Sequence, residues 1–208
     1  MIQNQTNQQK VKKNPLLIAL VGLSVILVGA LAVTSYIAGC KHQKKIAVDF
    51  SITETVDDSE HKYQFLNKQI SDYICELSSE LDIDSDLVVA ILMVENPEFN
   101  PEATHRNENG TIDVGMFQLN DYYLWTTFKR DYWFDNIELD PFNWKHNSYI
   151  AIHHIKELQN QLKVQDDVIM AYNGGKGAVM NGTVKPSTKV YLAKVKNNLF
   201  LLKGGNND

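Results

Sequence analysis

Apolar residues follow two different rhythms along this chain, separated by a stretch with none. Residues 16–38 form an almost unbroken apolar run without a charge, interrupted only by Ser24, Thr34 and Ser35. At ~1.5 Å per residue the run exceeds the ~20 residues that a bilayer-spanning helix needs, and it lacks the polar face that a core helix keeps. It is expected to enter a membrane. Residues 41–60 mix charges, Ser and Thr with no apolar period, the pattern of a linker. From about His61 the spacing becomes helical and stays so to the C-terminal region.

Leu66, Ile70, Tyr73, Ile74, Leu77 and Leu81 recur at three- and four-residue intervals and predict an amphipathic helix, with Cys75 near its apolar edge as a small core residue. Asp84 or Ser85 can cap a second helix through Leu87, Val88, Ala90, Ile91, Leu92 and Val94, which Pro97 forbids from continuing past Glu95 or Asn96. The Asn109-Gly110 pair predicts a turn joining two short antiparallel strands. Three more helices follow from the spacing, over residues 144–162, 166–172 and 187–202. The fold expected is mainly α, one helical domain with a small β-hairpin, preceded by a transmembrane or signal helix.

Charge sharpens this division. The first 45 residues carry six lysines and no acid, so of the 20 basic residues 14 remain to face 25 acidic ones in the body. A body that negative repels phosphate backbones, and only Arg106 and Arg130 offer the planar fork that nucleic-acid readers favour. Nucleic acid is therefore excluded as a partner. His153 and His154 are adjacent and point ~100° apart on a helix, so they cannot share one ion; no metal and no cofactor is expected. Tyr122, Tyr123, Trp125, Phe128, Tyr132, Trp133, Phe134 and Trp144 crowd the middle of the chain, either lining a sugar cleft or filling the core.

Glu95 stands out. A helix C-terminus disfavours negative charge, and so apolar a helix is buried on several sides, so this carboxyl is expected to resist ionising. Such an acid can deliver a proton to a poorly basic glycosidic oxygen.

Residues 95–103 (ENPEFNPEA) followed by 113–120 (DVGMFQLN) resemble the active-site segment of the lysozyme superfamily: an acid at a helix end, an F-N-P-x-A turn, an Asn-Gly hairpin, and a G-M-F-Q stretch similar to the family's G-L-M-Q. Further on, Ala171-Tyr172-Asn173-Gly174-Gly175 resembles the A-Y-N-A-G motif of the soluble lytic transglycosylase (SLT) branch, and Ser187 to Tyr191 its S/T-x-x-x-Y helix. Asn96 replaces the family's usual Ser, and Gly174 its Ala.

The resemblance implies a lysozyme-like α+β fold and a lytic transglycosylase acting on the glycan strands of bacterial peptidoglycan. Glu95 would protonate the oxygen between N-acetylmuramic acid and N-acetylglucosamine, then take the proton of the muramyl C6 hydroxyl as a 1,6-anhydro ring closes. No water is consumed. Asp113 either assists, as the second acid of a hydrolytic muramidase, or ends the hairpin by bonding backbone N–H groups. Gly115, Met116, Gln118, Asn120, Tyr172, Asn173 and Tyr191 are the expected substrate contacts, with Tyr172 and Tyr191 also able to orient Glu95 or to serve the core. A catalytically inactive glycan-binding scaffold is the reading from another class.

Ile37-Ala38-Gly39-Cys40 resembles the box that precedes the lipidated cysteine of bacterial lipoproteins, so Cys40 is a candidate lipid anchor beside the uncleaved helix, which the run's length favours. The expected organisation is a basic cytoplasmic segment (1–15), the membrane segment (16–39), a linker (40–60), the catalytic domain (61–203) on the periplasmic or extracytoplasmic side, and a disordered tail (204–208).

Overall fold

A computed structural model of the chain describes residues 60–122 and 139–205. Within them the helical spacing becomes six helices: α1 (Lys68–Glu80), α2 (Ser85–Glu95), α3 (Trp144–Gln161), α4 (Gln165–Gly174), α5 (Lys176–Met180) and α6 (Pro186–Leu202). Three strands, β1 (Thr104–Arg106), β2 (Ile112–Val114) and β3 (Leu119–Asn120), lie between α2 and α3 in the order β1-β2-β3. The membrane segment at residues 16–39, Cys40, the linker as far as residue 59, and Tyr123, Trp125, Phe128, Tyr132, Trp133 and Phe134 lie outside the described residues. Among the described residues no helix is long and apolar enough to cross a membrane.

Four of the six helices begin at a local signal. Asn67 caps α1 by accepting from Gln69 N, and Asp82, in the left-handed region at φ 52°, closes it while Ile83 N donates to Ser78 O at 2.8 Å. Asp84 caps α2 by accepting from Asp86 N. Asn143 caps α3 through Lys145 N and His146 N, and Pro186 opens α6 as its first residue. The last helix is closed by Gly204 and Gly205, which donate to Leu201 O and Phe200 O; the sequence pattern assigns both glycines to a tail.

Helix α2 is the axle of the domain. Leu87 to Leu92, six consecutive residues, have no accessible surface at all, so the helix is apolar on every side, and α1 and α6 pack against it. Helix α6 runs antiparallel to it: Tyr191 meets Glu95, Asn198 donates to Ala90 O, and Lys203 pairs with Asp84 at 2.7 Å. Helix α3 adds a second buried segment, Tyr149 to Ile152, completed by Ile155 and Leu158.

The sheet differs from the expected hairpin in two respects. The connection from β1 to β2 spans five residues, with Asn107 N donating to Thr111 O, instead of a two-residue turn at Asn109-Gly110. A third strand follows because residues 115–118 turn tightly enough for Leu119 to pair with Val114 and Asn120 with Asp113.

Candidate active site

Because α2 stops at Pro97, Glu95 is delivered to the end of the most buried helix. Its neighbour Asn96 forms the C-cap, its N–H donating to Leu92 O. The Asn96 side chain, itself buried, donates to Asn100 O at 2.6 Å and accepts from Asn100 N, so it ties down the turn after the helix and leaves the orientation of Glu95 to another group. That group is Tyr191, from the first turns of α6, whose hydroxyl donates to Glu95 Oε1 at 2.7 Å.

Burial pushes the Glu95 carboxyl up to about 7, opposed by the Tyr191 hydrogen bond, which favours the carboxylate, and reinforced by the negative charge of Asp113. Tyr191 is held well above the ordinary tyrosine range by its own burial and by the charge of Glu95, so it remains a donor. Tyr172 on α4 is likewise raised, first by burial and then by the charges of Glu95 and Asp113; its hydroxyl donates to Phe117 O at 3.0 Å. Glu95, Asp113, Tyr172 and Tyr191 thus share one electrostatic neighbourhood.

Asp113 occupies the middle of β2. Its Oδ1 accepts from Asn120 Nδ2 at 2.8 Å across the β2–β3 ladder, so Asn120 positions a carboxylate. The expected backbone capping falls instead to Asp121, which accepts from Ile112 N.

The 115–118 turn is organised from within. Gly115, at φ +75°, is buried, and a Cβ there would collide with Asn147 Nδ2 and lie 2.5 Å from Pro141 O. Gln118 spends its amide N–H groups on Ala103 O and Gly115 O, leaving its Oε1 for a ligand. Met116 corrects the expectation drawn from the motif. It has no accessible surface and fills the core beside Phe117, so neither it nor the buried Gly115 presents a side chain to a glycan.

Asn173 is exposed at the end of α4, its Oδ1 held by Thr188 Oγ1 at 2.9 Å. The same threonine explains Gly174: a Cβ there would meet Thr188 Oγ1 at 2.9 Å, so the methyl of the family's Ala is replaced by a side chain reaching over from α6.

Asn147 is the residue that the sequence pattern misses. Fully buried on α3, it accepts from Phe117 N at 2.8 Å and donates to Val114 O and Pro141 O, both at 3.0 Å. One amide therefore fixes the turn that carries Gln118 and presents Phe117 O to Tyr172. His153 and His154 are both lowered to about 4 by burial and stay neutral, His153 against the Tyr149 ring and His154 against Tyr172. Among the described residues no group of three or more His, Cys, Asp or Glu side chains could hold a metal ion.

Solved structures that resemble this fold include two lytic transglycosylases. One is an inactive mutant of the lytic transglycosylase Slt from Pseudomonas aeruginosa, with TM-score 0.53 and 13% identity. The other is the 70 kDa soluble lytic transglycosylase SLT70 from Escherichia coli, with TM-score 0.52 and 18% identity. In both comparisons 64% of this chain is covered, against 24% of the other, and at such identities the likeness is one of fold. No curated protein matches the sequence. The sequence does match the transglycosylase SLT domain family over residues 72–191, a span holding Glu95, the sheet and Tyr191. With more than half of its length inside that match, the chain belongs to the transglycosylase SLT domain family.

Proposed function

We propose that the chain is a peptidoglycan lytic transglycosylase. The observation that carries this reading is a carboxyl poised near neutrality, Glu95 at about 7, at the end of a buried helix and aligned by Tyr191. A general acid must hold its proton until the glycosidic oxygen is within reach and then accept one back, and both are easiest when its pKa lies near the working pH. In this reading Glu95 protonates the oxygen between N-acetylmuramic acid and N-acetylglucosamine. It then takes the C6 hydroxyl proton as the 1,6-anhydro ring closes, so the oxygen that water would supply comes from the substrate.

Asp113 supports a second reading, hydrolysis by a muramidase, because its negative charge is felt at Glu95. Product mass separates the two. The full chain, incubated with purified peptidoglycan, is expected to release anhydro ends one water lighter than hydrolytic ends. Glu95→Gln should remove nearly all turnover, and activity within about tenfold of wild type would sink the assignment.

For the N-terminal part we propose that residues 16–39 hold the catalytic domain at the outer side of the cell membrane, as an uncleaved helix. Its apolar length supports this. The mature protein should then begin near Met1, and Cys40→Ser should leave size and membrane attachment unchanged; a mature chain starting at an acylated Cys40 would refute it.

A further inference from the structure

Beside the Glu95–Tyr191 contact an open groove of about 520 Å³ runs between α2 and α6, with Val94 and Pro97 on one wall and Val190, Ala193, Lys194 and Asn197 on the other. Because the two helices are antiparallel, the Pro97–Val190 end lies next to Glu95 and Tyr191, and the groove leads away from them along α6. From Val190 to Asn197 it extends about 10 Å, the reach of about three residues of extended peptide.

Its chemistry suits a peptide better than a sugar. No aromatic ring lines it to stack on a pyranose. The walls offer alkyl surface, with Val190 57% exposed, together with asparagine amides and one ammonium group. Lys196 and Lys203 are paired with Asp166 and Asp84, whereas Lys194 makes no ion pair or hydrogen bond among the described residues and no acid lines the groove, so its charge on a domain that is otherwise acidic is the one positive charge of Lys194. A short peptide with small apolar side chains and a free carboxylate matches each of these features. Peptidoglycan carries such a peptide on the muramyl sugar at which Glu95 would act.

We infer that this groove receives the peptide branch of the glycan strand, with a peptide carboxylate on Lys194, its small side chains against Val94 and Val190, and its amides on Asn197. The inference rests on the reading of the substrate as peptidoglycan.

The test compares peptide-bearing strands with strands from the same preparation stripped of peptide by an amidase, using the full chain. Lys194→Glu is expected to lower kcat/KM on peptide-bearing strands about tenfold, through KM, because a favourable contact becomes a repulsive one. Stripped strands should be turned over as by wild type, and Lys163→Glu, a charge reversal elsewhere, should change neither. Val190→Glu, also on an exposed helical position, should reproduce the selective loss. Equal effects on both substrates, or none, would overturn the assignment. A change in oligomeric state on Lys194→Glu would also overturn it, and give the groove to a second copy of the chain. Binding is read separately: immobilised wild type should retain peptide-bearing strands more strongly than stripped ones, and Lys194→Glu should lose the difference. If wild type turns over neither substrate, the catalytic reading fails, while this retention still decides the groove.

Discussion

Replacing Glu95 with Gln should stabilise the protein above neutral pH, although it disables the acid. In the unfolded chain the carboxyl ionises near its ordinary 4.5, whereas in the folded protein burial holds it at about 7. A carboxyl raised by folding contributes its stability below the unfolded value, and that contribution is lost as pH rises through the folded one. Wild type is therefore penalised progressively from pH 4.5 to about 7 and fully above it. At ~1.4 kcal/mol per pH unit the full penalty is about 3 kcal/mol, an upper figure because part of the side chain still meets water. Glutamine keeps an oxygen for the Tyr191 hydroxyl and carries no charge. Its advantage should grow by about 2 kcal/mol between pH 5 and pH 8. Urea unfolding of both proteins at the two pH values measures it, and comparison at equal pH cancels the titration of His153 and His154. A difference in stability that is the same at both pH values, or that favours wild type more at pH 8, would refute the buried-acid account.

Tyr191→Phe removes the hydrogen bond that favours the Glu95 carboxylate, so the alkaline limb of the pH–rate profile should move upward and kcat fall by about tenfold; an unmoved limb counts against the contact. Asp113→Asn removes a charge that raises Glu95, so that limb should move downward, with a loss of activity below about tenfold for a transglycosylase and near-complete loss for a muramidase. Gly115→Ala forces a Cβ onto Asn147 and Pro141 at a left-handed φ, and should cost at least about 2 kcal/mol in thermal or urea unfolding.

The long helices were legible because their apolar spacing runs for several turns and their ends carry conventional signals: Asp84 before α2, Pro97 after it, Pro186 opening α6. Glu95 was legible for the same reason, since a helix that apolar and that abruptly stopped must leave its last carboxyl half out of water. Helix α5 gave no signal, being five residues long with no buried side chain, and β3 is only two residues. Met116 shows the limit of a motif: it marks the turn at 115–118 but not which side chains turn inward, and here both Met116 and Phe117 do. Asn147 was hidden because a single amide among the polar and apolar residues of α3 says nothing about three partners 6 to 33 residues away. The family motif offers Tyr172 and Tyr191 alike to Glu95, to a sugar or to the core, and no local pattern contains the hydrogen bond that joins Tyr191 to Glu95 across 96 residues.

The burial of Leu87 to Leu92 bears on how the proposed activity can fail. A side chain on a loop can drift out of register while the rest of the protein stays folded, whereas Glu95 is fixed to a helix that cannot unwind without exposing the centre of the core. Its partner Tyr191 belongs to the helix packed along the same axle. The acid and its aligning hydroxyl are thus parts of one cooperative unit, and amide protons along α2 should exchange only through whole-domain opening. Heat or denaturant should then remove the Glu95–Tyr191 contact and the fold in a single transition, so the proposed activity should be lost together with structure.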